Sequence, residues 1–217
     1  IHKESRHMNN FELVNDFIFT TNIIPKDVCD GFIFKMKDRK EWKTHDWTRE
    51  DQGDLPLPQG GGTPSWLPSY EDEPHPNDPH GERECDVLYG NHVQGLSILN
   101  KYLKKALDQY AAIHNNSRSN VSTVVSPKFN RYKKGCQMQP HVDHIKSLFD
   151  GKYRGVPVLS IIGLISDAFD GGEFYCRGKE IPLNKGDILI FPSCFLYSHE
   201  VKKVKSGVRY TFVSWAF

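Results

Sequence analysis

Two stretches of the chain repeat apolar residues at the period of an α-helix. Residues 27–40 place Val28, Phe32, Ile33 and Met36 on one side, with Pro25 where the entry to a helix tolerates it. Residues 93–114 line up Leu96, Leu99, Leu103, Leu107 and Tyr110 with lysines between them, the pattern of a support helix packed on a sheet. After residue 120 the period changes. Segments 121–125, 128–132, 158–165, 172–176, 188–191, 197–201 and 210–215 are rich in β-branched and aromatic residues and read as short strands. Turn signals fall among them at Lys133-Lys134-Gly135, Asp170-Gly171-Gly172, Asn184-Lys185-Gly186-Asp187 and Lys205-Ser206-Gly207. Closely spaced short strands of this kind predict a sandwich or barrel, with a jelly roll as the natural candidate. The expected fold is therefore mainly β with flanking helices. A double-stranded β-helix core over 121–217 is supported by an N-terminal helical region over 1–120, in one compact catalytic unit.

Residues 51–86 break both patterns. They are dense in Pro, Gly and acidic residues and read as a long loop, of the kind that covers a site or moves. Trp66 and Tyr70 within it either anchor the loop or line a substrate groove. Its Glu71-Asp72-Glu73 triplet reads as solvated surface, with a basic partner as the alternative. The residues ahead of Met8 are set aside from the fold reading.

Composition narrows the class without naming a function. In 217 residues, 28 Lys and Arg nearly balance 27 Asp and Glu, which gives no field suited to nucleic acid or a membrane surface. Five scattered cysteines with no CxxC pair suit reduced thiols better than a disulfide framework. Sequons at Asn115 and Asn120 are of the kind that arises by chance. No signal-peptide core is seen, and no apolar run approaches the roughly 20 residues of a membrane helix. The expectation is a soluble, cytoplasmic or otherwise intracellular protein with no nucleic-acid or membrane partner.

Candidate chemistry starts at His141-Val142-Asp143. With 10 His and 16 Asp in the chain, chance supplies about 0.7 such triplets, so the motif alone is poor. On an extended segment, however, residues at i and i+2 share a face and can converge on one ion. His144, at i+3, leaves that face. A second histidine, His199, stands in a later strand segment. Two histidines and a carboxylate form the facial triad of non-haem iron(II) oxygenases, although a catalytic zinc can use the same three residues. Arg209 favours iron. It follows ten residues after His199, across the predicted turn at 205–207, so adjacent antiparallel strands would aim it into the same barrel mouth. A buried guanidinium calls for an anion, and its fork suits a carboxylate. 2-Oxoglutarate offers one carboxylate to the metal and one to the arginine.

Taken in order, NRYKKG, HVD, DGGEFY, KGDILIFPS, SHEV and GVRYTFVSWAF resemble the 2-oxoglutarate/iron(II) dioxygenase superfamily, in its prolyl 4-hydroxylase-like branch. The resemblance covers about residues 129–217. It implies that His141, Asp143 and His199 hold iron(II) and that Arg209 pairs with the distal carboxylate of 2-oxoglutarate. It also implies that Tyr132 lines the co-substrate pocket. Thr211 and Trp215 share the Arg209 face at period two, and Trp215 matches a family tryptophan near the co-substrate. Gly171-Gly172 serve a turn that lets backbone approach closely, and Asp187 stabilises its own turn rather than a metal. The carboxylate at Asp143 speaks against the family's halide-binding variant.

The implied reaction consumes 2-oxoglutarate and dioxygen, releases succinate and carbon dioxide, and hydroxylates a C–H bond, with ascorbate as reductant. A prolyl residue in a peptide or protein is the favoured substrate. The alternatives are a free amino acid, a sugar or a nucleobase, or a jelly-roll module that binds metal without turnover. Neutral histidines are needed, so activity is expected to fall on acidification through the imidazole range.

Overall fold

Among the described residues, two antiparallel sheets stack face to face, and two helices cover the outer side of the larger one. The computed structural model describes residues 11–14, 17–45, 84–114, 121, 123–143 and 157–217. The residues before Met8, loop residues 51–83 with Trp66, Tyr70 and the acidic triplet, the sequon asparagines and His144 lie outside the described residues. The larger sheet runs in the order β1 (Phe11–Val14), β2 (Ile18–Asn22), β11 (Asp187–Pro192), β7 (Leu159–Leu164), β13 (Val204–Ala216), β5 (Lys128–Lys133), β4 (Asp86–Tyr89) and β3 (Lys43–Thr44). β8 (Phe169–Gly171) pairs with the start of β13. The smaller sheet runs β10 (Lys179–Glu180), β9 (Phe174–Cys176), β12 (His199–Val201) and β6 (Met138–His141).

Strand alternation sorts the side chains into two cores. Tyr210, Phe212 and Ala216 of β13 face outward with Leu88, Phe129, Ile161, Ile188 and Ile190. Against them lie α1 (Lys26–Met36), burying Cys29, Phe32 and Met36, and α2 (Leu96–Ile113), burying Leu99, Leu103, Ala106 and Tyr110. Each large side chain so buried contributes about 1.5–3 kcal/mol. The inner face carries Tyr132, Ile162, Leu189, Phe191 and Val213. These meet Met138, Phe174, Cys176 and Val201 of the smaller sheet. The candidate chemistry lies in this inner compartment.

The helices stop where local groups stop them. α1 was expected to reach residue 40 but ends at Met36, whose carbonyl accepts from the Trp42 indole at 2.7 Å. α2 begins at Leu96 rather than residue 93 because Gly95 takes a left-handed conformation, φ 89°. Strand predictions fare unevenly. Residues 128–132, 158–165 and 188–191 match β5, β7 and β11 to within a residue or two. The strand expected at 121–125 shrinks to a single bridge, Val124 opposite Ala216. Pro127, which lacks an N–H, separates that bridge from β5. The turn expected at 205–207 is absent. β13 runs through it, paired with β8 on one side, and absorbs the irregularity as a bulge with Gly207 at φ 71°. β2, β4 and β6 were not anticipated. All five cysteines are free thiols, as expected. Among the described residues no helix is long and apolar enough to cross a membrane.

β4 is tied to β5 by charge as well as by the ladder. The Asp86 carboxylate accepts from Arg131 Nε at 3.0 Å and Nη2 at 2.8 Å, and Lys133 Nζ lies 2.9 Å away. Burial would raise the Asp86 pKa, but these cationic partners outweigh it and hold it below its ordinary value. Asp86→Asn is expected to lower stability at neutral pH by about 1–3 kcal/mol. Because the folded pKa is depressed, the wild-type advantage is present above about pH 4 and fades as pH falls through the folded value. Urea midpoints of both proteins at pH 7 and in steps below pH 4 check this. A gap that stays constant into acid would contradict it.

Candidate active site

Antiparallel pairing of β6 with β12 sets His141 directly opposite His199, with ring centroids 4.2 Å apart. The chain leaves β6 after His141 and brings Asp143 back between the two imidazoles. One carboxylate oxygen lies 3.8 Å from His141 Nε2 and the other 3.7 Å from His199 Nε2. These gaps are too long for direct hydrogen bonds. The three donor atoms nevertheless lie within 4.8 Å of one another, a spacing that one ion can bridge. Each histidine is also held in the tautomer a metal needs. His141 Nδ1 is 2.8 Å from the Gln139 carbonyl, and His199 Nδ1 is 3.0 Å from the Tyr197 carbonyl, which leaves each Nε2 as a bare lone pair. Phe174 and Phe191 flank the His199 ring. The donor set, two neutral imidazoles and one carboxylate, fits iron(II).

Electrostatics keep the donors deprotonated. Burial, and then the neighbouring His199 imidazole, push His141 down to about 4. Proton competition at His141 thus sets in well below the ordinary imidazole range expected from the sequence. Burial alone would raise the Asp143 carboxyl. The two imidazoles, together with hydrogen bonds from Ser160 and Trp215, outweigh it and hold Asp143 below the usual carboxylate range.

One of those supporting groups, Ser160, was not expected. Ser160 Oγ donates to Asp143 at 2.7 Å and lies 2.8 Å from Ser193 Oγ, and both serines are buried. A lone serine inside an apolar strand carries no sequence signal of such a role. Trp215, expected near the co-substrate, stands opposite Ser160 on the paired strand and gives its indole hydrogen to Asp143. Lys128 Nζ sits over the Trp215 ring at 5.0 Å. Outer groups of this kind orient a metal ligand. Ser160→Ala is accordingly expected to weaken metal binding by about 10- to 100-fold without unfolding the protein. Manganese(II) titration followed by electron paramagnetic resonance measures the effect, and wild-type affinity in the variant contradicts the role.

Arg209 reaches the same compartment from the opposite sheet. β12 and β13 are not paired, contrary to the sequence reading. β12 lies in the smaller sheet and β13 in the larger, so His199 and Arg209 face each other across the barrel. Arg209 is 2% exposed, and among the described residues its Nε has no hydrogen-bond partner. Its guanidinium carbon lies 5.4 Å from the centre of the Tyr132 ring, directly across the β5–β13 ladder. Gly172, at φ 66°, makes room for it, since a Cβ there would meet Arg209 Cδ at 2.9 Å. Thr211 is buried on the same inner face, opposite Asn130. Also missed from the sequence are Asn130 and Cys85, beside the Tyr132 hydroxyl. His45 was missed too; it is buried against Glu84, and its charge is felt at His141. Asp187 does what its turn position suggested, accepting from Asn184 N and Asn22 Nδ2, both at 2.6 Å.

The sequence and the fold have counterparts among known proteins. Residues 127–217 match the model of the 2OG-Fe(II) oxygenase superfamily. A PKHD-type hydroxylase of Prochlorococcus marinus is 36% identical over 76 residues, 33% of this chain and 34% of that protein. The chain spans less than half the length of the curated relatives it matches. In fold, a Pseudomonas putida prolyl-4-hydroxylase superposes with a TM-score of 0.58 at 16% identity, covering 96% of this chain and 93% of that one. A Trichoplax adhaerens prolyl hydroxylase, in complex with a hypoxia inducible factor oxygen degradation domain peptide fragment, also gives 0.58, at 15% identity over 97% of this chain and 84% of that one. With a jelly roll whose inner face gathers two histidines, an aspartate and a buried arginine, the chain is similar over residues 127–217 to the 2OG-Fe(II) oxygenase superfamily and is prolyl-hydroxylase-like in fold.

Proposed function

We propose that this chain hydroxylates a prolyl residue in a peptide or protein, using iron(II), 2-oxoglutarate and dioxygen, with ascorbate as reductant. One observation carries the reading. The His141–Asp143–His199 cluster and a buried arginine without a carboxylate partner among the described residues face each other inside one barrel. When bound, the metal and co-substrate supply the oxidising power, releasing succinate and carbon dioxide as a C–H bond is hydroxylated.

The chain's own residues do the holding. His141, Asp143 and His199 bind the metal through two neutral nitrogens and one carboxylate. Ser160 and Trp215 fix the carboxylate. Arg209, with Tyr132 and Thr211 beside it, takes the distal carboxylate of 2-oxoglutarate in a compartment walled by Phe174, Phe191 and Leu189, which excludes water. The peptide substrate is supported by the Trichoplax relative in fold, which holds a peptide fragment.

Incubation with iron(II), ascorbate, 2-oxoglutarate and a panel of proline-bearing peptides tests the proposal. Succinate and a peptide that gains one oxygen atom on proline are expected. Oxygen gain on a free amino acid, sugar or nucleobase alone overturns the peptide substrate. No succinate with any substrate, together with unchanged metal binding in Arg209→Ala, replaces the enzyme with a metal-binding module.

A further inference from the structure

We propose that Asn130 is a positioning residue for the co-substrate, holding the Tyr132 hydroxyl as a donor so that Tyr132 and Arg209 together select a carboxylate. This rests on the reading of Arg209 as the 2-oxoglutarate anchor. β5 and β13 pair with Tyr132 opposite Arg209 and Asn130 opposite Thr211, which gives four inward-facing polar side chains in two adjacent rows. Their exposures are 3%, 2%, 5% and 1%. Among the described residues, the side chains that act on Arg209 are Tyr132 and Cys85, and no carboxylate is among them.

Hydrogen-bond arithmetic fixes which way the hydroxyl points. A tyrosine hydroxyl has one hydrogen to give and can accept through its lone pairs. The Asn130 side chain bonds to the Tyr132 hydroxyl. Its carbonyl Oδ1 has no partner among the described residues. The amide therefore presents its N–H to the tyrosine oxygen, and the hydroxyl hydrogen must find another acceptor. Cys85 is the second neighbour of that hydroxyl, and a thiol sulfur accepts weakly. A carboxylate oxygen beside Arg209 is the far stronger acceptor.

Three features then combine: a hydroxyl turned to donate, a guanidinium with an unused Nε–H, and a neutral amide that adds no negative charge. Together they make a receptor for one carboxylate. Among the described residues, the unpartnered Asn130 Oδ1 and Arg209 Nε are what a compartment completed by its ligand leaves behind.

A double-mutant cycle on 2-oxoglutarate affinity, measured by calorimetry on manganese(II)-loaded protein, tests this without turnover. Asn130→Ala is expected to weaken binding by about tenfold, the loss of one oriented charge-assisted hydrogen bond. Asn130→Asp is expected to weaken it further, because its carboxylate captures the tyrosine hydrogen and repels the ligand. Tyr132→Phe weakens binding on its own, and adding Asn130→Ala to it should cost nothing more. Manganese affinity stays at the wild-type value throughout. Losses that multiply in the double variant, or wild-type binding in Asn130→Ala, overturn the positioning role. If Asn130→Ala unfolds, the near-isosteric and uncharged Asn130→Leu closes the same cycle with Tyr132→Phe. The underlying reading fails separately: wild-type protein that binds no 2-oxoglutarate, or Arg209→Ala that binds it unchanged, removes the anchor itself.

Discussion

Asp143→Ala is expected to abolish iron(II)-dependent turnover while the protein stays folded. Asp143 is the one carboxylate in the cluster, and it stands between His141 Nε2 and His199 Nε2. Removing it leaves two neutral imidazoles, too few to hold iron(II) against water. The loss should exceed the roughly 10- to 100-fold cost of disturbing an outer group such as Ser160. The fold should survive because Asp143 lies beyond the last residue of β6, and Ser160 keeps Ser193 as a hydroxyl partner. Metal content, succinate yield and far-ultraviolet circular dichroism measured together settle the matter. Full turnover in the variant would sink the metal-site assignment.

The second large effect is at Arg209. Truncating one partner of a buried charged hydrogen-bonded pair costs about 2–5 kcal/mol, so Arg209→Ala should weaken 2-oxoglutarate binding roughly 30-fold to several thousand-fold. Arg209→Lys keeps the charge but loses the fork that meets a carboxylate with two parallel bonds, and it should fall between wild type and alanine. Without ligand, the sign of the stability effect differs. Burial holds the Arg209 pKa below its ordinary value, the mark of a cation that is costly to bury. The apo variant should therefore unfold no lower than apo wild type by more than its lost packing. What it should lose is the rise in unfolding temperature that 2-oxoglutarate gives the wild-type protein, about 2.7 kcal/mol at a ligand concentration 100 times Kd. An undiminished ligand-induced rise in both variants would remove Arg209 from the pocket.

Local order was legible wherever a single periodicity ran unbroken. The leucine stripe of α2 and the apolar runs of β7 and β11 announce themselves because their neighbours in sequence are their neighbours on one face. β2 and β6, with the sequences IFTTN and MQPH, are short and polar, and they are strands only because β11 and β12 offer them a ladder. Residues 205–207 contain the lysine, serine and glycine of a turn. Pairing of β13 with β8 turns them into a bulge. Tertiary partners overrode local propensity in each case.

The residue types proposed as metal donors and anion anchor were legible along the chain, since a histidine, an aspartate and an arginine carry their chemistry wherever they are placed. Their convergence was not. The sequence reading put His199 and Arg209 on adjacent strands of one sheet, whereas the fold sets them on opposite sheets facing inward. It also sets Trp215 beside the Asp143 carboxylate and brings in Ser160 and Ser193, whose side chains look ordinary in a linear string. A side chain's type is a local property. Which other side chains it meets depends on which sheet each strand joins and in what register, and that is decided only when the whole core packs.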